Sequence, residues 1–323
     1  MNKYLRAVGF TKIPSRKEIY KIIEEGIKKP VYRAYTTNDD DEDTLLAQFE
    51  IGLGDKIGLC VCGQFDEEDR FYPDYYYPYL DSDIISSKEE LSVEPRVDND
   101  TYAGICDDLK VGAALIFRLR NAVEYIKRCH MSFVPLVDTT LTLTALSLEG
   151  TILLPIKQTK EEREKKQEIN AKRRSILSAA KEGDENAVKD LTIGDMDVYS
   201  NLVTHLQYED VYSVVESSFI PYGSECELYS IMGEIMEMRE GINTITGDKI
   251  YIFQVNCNEI PIDVVINRED LFGEPQVGRR FKGIIWLQGK INFPVKTEFP
   301  EIPIKWPEDH EEPKDHKEDE NSN

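Results

Sequence analysis

Cys60 and Cys62 are the first residues whose type and spacing suggest chemistry. In a strand, residues two apart share a face, so both thiols point the same way. A structural zinc site needs four ligands, and no Cys-x-x-Cys pair or His-x-x-x-His stands elsewhere to complete one. The pair therefore reads as core packing, the common role of cysteine. Cys106-Asp107-Asp108 offers two neighbouring carboxylates for acid–base or metal work. Adjacent strand residues point to opposite faces, however, and an Asp just before Leu109 suits a helix N-cap. The histidines, His130, His205, His310 and His316, lie in no nucleophile signature. Gly52-Leu-Gly54 begins like a dinucleotide fingerprint, but Ile57 stands where the third glycine belongs. No catalytic residue, metal ligand or cofactor is assigned, and the reading leans away from an enzyme.

Two groups of residues suit binding better. Tyr75, Tyr77 and Tyr79 alternate along one strand, with Pro73 and Pro78 limiting further pairing. Such a strip can grip a peptide, a sugar or another subunit; it equally suits an edge strand packed on a helix. Arg280, Lys282 and Trp286 share a strand face and resemble a basic-plus-aromatic nucleic-acid surface. Phe281, Ile285 and Leu287 occupy the opposite, core face, which turns Trp286 outward.

The elements that must position these residues follow from periodicity. Ser15 is placed to cap a helix carrying Ile19, Ile22, Ile23 and Ile27, which Pro30 ends. An acidic loop, 38–43, precedes strands at 44–50, 56–65 and 71–80. Leu109, Gly112, Ile116, Leu119, Val123 and Ile126 recur at steps of three and four, predicting a helix over 109–130. Segments 141–148 and 151–156, joined at Glu149-Gly150, read as a β-hairpin. A Glu/Lys-rich helix follows from Thr159 to about Ala180, then short helices at 184–191, 195–206 and 209–215. Strands at 226–239, 249–257 and 260–266, a helical turn at 268–272 and a strand carrying Trp286 complete the pattern.

Composition limits what these parts do. The 323 residues exceed one usual hydrophobic core and predict several domains. Sixty-one acidic against 39 basic side chains give a net charge of −22, which repels nucleic acid and anionic membrane. The N-terminal stretch lacks an apolar run of signal-peptide length, and no segment approaches a membrane span. Six irregularly spaced cysteines fit free thiols, so the expected compartment is the cytoplasm.

Several literal strings identify a resemblance: Leu5-Arg-Ala-Val-Gly-Phe10, Tyr102-Ala-Gly-Ile-Cys-Asp-Asp108, Ala145-Leu-Ser-Leu-Glu-Gly150, Pro221-Tyr-Gly223 and Gly278-Arg-Arg-Phe-Lys-Gly283 with Trp286-Leu-Gln-Gly289. Together they resemble a domain-of-unknown-function family, family 3881, of gut-type anaerobic Firmicutes. The resemblance implies no activity and supplies no catalytic residue. Separately, the strand order of the C-terminal part is similar to an oligonucleotide/oligosaccharide-binding (OB) barrel. Four strands are evident where that fold has five, and Glu301 to Trp306 is the available candidate for the fifth.

The sequence thus predicts an α+β protein. Residues 1–157 form an N-terminal α+β sandwich, 158–220 a helical connector, 221–305 an OB-like barrel and 306–323 a disordered acidic tail. The expected function is a non-enzymatic binding or scaffold protein that contacts another protein. The first alternative is a small-molecule enzyme with a pocket between the N-terminal sheet and the 109–130 helix, using Cys106, Asp107 and Asp108. The second is single-stranded nucleic-acid binding through Arg280, Lys282 and Trp286, disfavoured by the net charge.

Overall fold

The computed structural model describes residues 2–37, 44–96, 101–108, 110–111, 114–132, 134–156, 160–181, 184, 186–187, 190, 212 and 215–306. The acidic loop at 38–43, most of the short helices expected over 184–215 and the acidic tail beyond 306 lie outside the described residues.

A 3-10 helix, Lys3–Val8, opens the chain, and α1, Arg16–Gly26, follows. Ser15 caps α1 as expected, and Glu18 returns the bond to the Ser15 backbone at 2.7 Å, completing a capping box. Strands β1 (Tyr32–Thr37), β2 (Leu45–Gly52), β3 (Ile57–Phe65) and β4 (Phe71–Leu80) make a four-stranded antiparallel meander in sequence order. One face of this sheet carries Phe49, Ile51, Leu59 and Val61; Ile19 and Ile23 of α1 and Ile27 just after it cover this face. The opposite face carries Gln48, Glu50, Cys60, Cys62, Tyr75 and Tyr77.

The remaining strands form one large sheet. They are β5 (Leu91–Pro95), β6 (Tyr102–Cys106), β7 (Leu115–Leu119), β8 (Thr140–Leu153), β9 (Ser218–Pro221), β10 (Leu228–Ile242), β11 (Lys249–Cys257), β12 (Ile260–Asn267), β13 (Leu271–Phe272) and β14 (Arg280–Asn292). Within it β8, β12, β11, β10 and β14 close on themselves, because β8 pairs with β12 on one side and β14 on the other. The result is a five-stranded barrel. Strands β10, β11 and β12 run as a meander, and a 3-10 turn, Arg268–Asp270, separates them from β14, which returns beside β10. The fifth strand lies parallel to β12 and antiparallel to β14. That is the pairing of an OB barrel, with its last strand supplied from earlier in the chain, a circular permutation.

Two expectations are corrected here. Glu301 to Trp306 does not close the barrel; β8 does. Residues 295–306 instead run across the four-stranded sheet, where Phe299, Ile302, Ile304 and Trp306 pack on its core and Lys305 bridges to Arg70. Nor does Gly150 turn a hairpin, since β8 passes straight through it. Opposite Gly283 on β14, it leaves room for the Phe281 ring, which a Cβ there would meet at 2.5 Å.

The predicted 109–130 helix is also wrong over its first half. Leu115, Phe117 and Leu119 are buried alternately, which is a strand period, and they form β7. Among the described residues of that span, only Ala122–Met131 is helical, as α2. The connector helix, α3 (Lys160–Lys181), forms as expected, and Asn170 and Arg174 bind the Glu259 carboxylate in the β11–β12 turn.

Alternation divides the barrel strands between two cores. Tyr251, Phe253 and Val255 on β11, with Ile262 and Val264 on β12, fill the barrel interior. Ile250, Ile252, Val265 and Trp286 face outward into a second core shared with the four-stranded sheet and the first 3-10 helix.

Candidate functional site

The outward barrel face and the polar face of the four-stranded sheet meet in a buried seam. The tyrosine strip and the Trp286 end of the second strip lie there rather than in solvent. Tyr77 and Tyr79 are each 3% exposed and Trp286 is 6% exposed. The Trp286 ring stands edge-on to Tyr77 at 6.0 Å and stacks on Tyr4 at 4.9 Å. Its Nε1 donates to Glu227 at 2.9 Å, and Arg96 pairs with that carboxylate. The face assigned to Trp286 is therefore correct, but the four-stranded sheet covers it.

The cationic half of the second strip is occupied as well. Arg280 donates to the Leu154, Val215 and Tyr212 carbonyls, and Lys282 donates to the Tyr212 hydroxyl. Arg280 is buried, and burial lowers its pKa. These groups tie Tyr212 and Val215 to the barrel and do not form an open basic trough.

Two guanidiniums that the helix reading scattered over other faces dominate the seam. Because β7 is a strand, Arg118 and Arg120 emerge on one side, toward the tyrosines. Arg118 lies over Tyr77 at 4.7 Å and Tyr75 at 5.3 Å. Arg120, 1% exposed, binds Glu50 at 3.0 Å, Asp81 at 2.5 Å and the Leu80 carbonyl at 2.8 Å, and stacks on Tyr79. Burial works against its charge, but Glu50 and Asp81 more than offset this, so the guanidinium stays ionised. Reciprocally, burial opposes ionisation of Asp81, yet Arg120, Lys290 and Lys56 hold its carboxyl below the usual range. Gln48 donates to the Arg120 carbonyl at 2.8 Å, and Gln288 donates to the Pro78 carbonyl at 2.9 Å.

A small cleft opens between α2 and the polar sheet face, lined by Leu46, Cys62, Asp74, Tyr75, Ala122 and Ile126, with a free volume of about 30 Å³. None of Cys106, Asp107 and Asp108 lines it. Asp108 accepts from Ser87 Oγ at 2.6 Å and from the Lys110 backbone at 2.9 Å, a turn-forming role. Burial pushes the Cys106 thiol up to about 11. His130, at the end of α2, contacts Thr36 Oγ1 at 3.2 Å, and the other three histidines lie outside the described residues. Among the described residues no group of three or more His, Cys, Asp or Glu is placed to hold a metal ion, and no helix is long and apolar enough to cross a membrane.

A family model described as a domain of unknown function, E. rectale gene description (DUF3881), matches residues 5–289. No curated protein and no solved structure matches the chain.

Proposed function

We propose that this chain, which belongs to the DUF3881 family, is a non-enzymatic cytoplasmic protein that binds or scaffolds another protein. With both aromatic strips consumed internally, the docking surface falls elsewhere. The observation that carries the reading is Phe272, 77% exposed on the two-residue strand β13, which ends the large sheet. Leu154, 72% exposed, follows three residues after Thr151, the β8 partner of Phe272. A large apolar side chain on a strand that, among the described residues, is paired on one side only invites another chain. The net charge of −22 favours a protein partner over a polyanion. Six unpaired cysteines, with Cys129 and Cys226 exposed, suit a reducing compartment.

The test is affinity capture from native lysate with the parent and Phe272→Glu. The variant is expected to keep its melting temperature and lose a partner that the parent retains in stoichiometric amount. If Phe272→Glu recovers that partner as the parent does, this edge is not the docking surface. The enzyme alternative has a cleft beside α2, but about 30 Å³ is far below the several hundred that enclose a metabolite.

A further inference from the structure

The sheet face that α1 covers has a second cover of a different kind. Near the Gly52 end of β2 the cover is α1, with Gly26 close against Ile51 and Tyr20 edge-on to Tyr76. Near the Phe65 end of β3 it is the strap formed by residues 295–306. Beneath the strap lie four buried rings, Tyr35, Phe49, Phe65 and Phe71. Phe299 stands 6.3 Å from Tyr35, and Trp306 stands edge-on to Phe71 at 6.1 Å. The family match ends at residue 289, so it includes this aromatic face but not the strap over it.

The strap sits on the face as a bound peptide does. Phe299, Ile302, Ile304 and Trp306 are half-buried, whereas the rings they touch are buried. Pro300 and Pro303 have no N–H to donate, so the strap grips with side chains along most of its length. Its backbone bonds to the sheet side are made at one end, from Phe71 N–H to the Lys305 carbonyl at 2.9 Å and from Lys305 N–H to Asp69. Exposed charges mark its direction: Glu301 pairs with Arg33 at 3.1 Å, and Lys305 pairs with Asp69 at 3.7 Å. The fit is incomplete. Tyr35 is 5% exposed, and its hydroxyl has no hydrogen-bond partner among the described residues. A buried donor left unmade is costly, and an occupant that offered it an acceptor would bind better.

We infer that this face is a peptide-docking groove and that the strap is its occupant in cis. The partner is an extended, proline-interrupted segment of another protein, an aromatic residue followed by proline, acidic, aliphatic, proline, aliphatic, basic and aromatic positions. The strap itself displays that order from Phe299 to Trp306. Aromatic-lined faces take proline-rich segments in this way. The site is separate from the Phe272 edge and does not depend on it.

The experiment titrates a fluorescent peptide of residues 297–306 into the full chain and into the full-length double variant Phe299→Ala with Trp306→Ala. A tethered competitor lowers apparent affinity, so the double variant is expected to bind the peptide about tenfold or more tightly than the parent. A peptide with alanine at both ring positions is expected not to bind, and Phe272→Glu is expected to change nothing. Tyr35→Phe is expected to keep its affinity for this peptide, because the strap gives the hydroxyl nothing; a loss there would remove the sign that the strap is replaceable. Should the double variant unfold, hydrogen exchange of the parent decides: the Phe71 amide is expected to exchange well before the amides of β11. Exchange of both together, or no peptide binding by a folded double variant, would make the strap a permanent part of the core. A parent dimer that the double variant loses would give the groove to a second copy of this chain and overturn the partner reading.

Discussion

The barrel interior and the seam between barrel and sheet both bury large rings, but they are built from different materials. Inside the barrel, Phe253 and Phe281 meet at 5.7 Å among Ile231, Val255, Ile262 and Leu287. Cohesion there comes from apolar area, which constrains volume more than direction. In the seam, Arg120, Glu50, Gln48, Gln288 and the Trp286–Glu227 pair are buried among tyrosines. Each of these groups needs a specific partner at hydrogen-bond distance, so the seam dictates how sheet and barrel sit together. The contrast teaches that this chain uses a dry core to make the barrel and a polar one to orient what leans on it.

The largest effects test that contrast directly. Phe281→Ala in the barrel and Arg120→Ala in the seam should each cost about 3–5 kcal/mol, measured by urea unfolding. The difference lies in rescue. Arg120→Ala strands the Glu50 and Asp81 carboxylates, so Arg120→Met combined with Glu50→Leu and Asp81→Asn should recover most of the loss. No polar substitution should rescue Phe281→Ala. If the triple variant is as unstable as Arg120→Ala, the seam is held by packing and the contrast disappears.

How much of this was legible in the sequence follows the same division. Strands β10, β11, β12 and β14 were readable because an alternating apolar pattern is local and survives in a single segment. The Ser15 cap was readable for the same reason, its partner Glu18 lying three residues away. The closing strand was not, since β8 pairs with β14 from Thr140 to Leu153 across more than a hundred intervening residues, and Gly150 imitates a turn. Strand β7 was hidden because Ile116, Leu119 and Val123 satisfy helical spacing by coincidence, with the strand period of Leu115, Phe117 and Leu119 laid over it. That error removed the seam from view: once β7 is a strand, Arg118 and Arg120 share a side. Glu50 and Arg120 are still 70 residues apart, and no local pattern announces such a pair. The tyrosine and Trp286 strips were legible as surfaces, but that they cover each other was not.

A middle-sized effect sharpens the electrostatic half of the comparison. Asp81 is held below its ordinary range in the folded chain, with an unfolded value of about 3.9. Its contribution is therefore fully present above that unfolded value and is lost as pH falls through the lower folded value. Between pH 5 and 2 the parent should lose stability faster than Asp81→Asn, because the asparagine has no proton to take up. Equal slopes in thermal unfolding would mean that Arg120 gains nothing from Asp81 that an amide cannot supply.

The smallest effect places one residue type in both regions. Cys257 lies in the barrel interior, where burial pushes its thiol up to about 12 and its S–H donates to the Ser218 carbonyl at 3.0 Å. Cys62 lies in the seam, held below its ordinary value beside a cleft. Both are nearly inaccessible by area, so exposure alone predicts equal inertness toward a small alkylating reagent. Thiolate character predicts otherwise, because the thiolate and not the thiol is the nucleophile. At pH 8 Cys62 should be modified in the folded chain, while Cys257 should wait for global unfolding and follow the urea transition. Alkylation of the two at the same rate would show that the polar seam confers no chemistry that the dry core lacks, leaving orientation as its whole role.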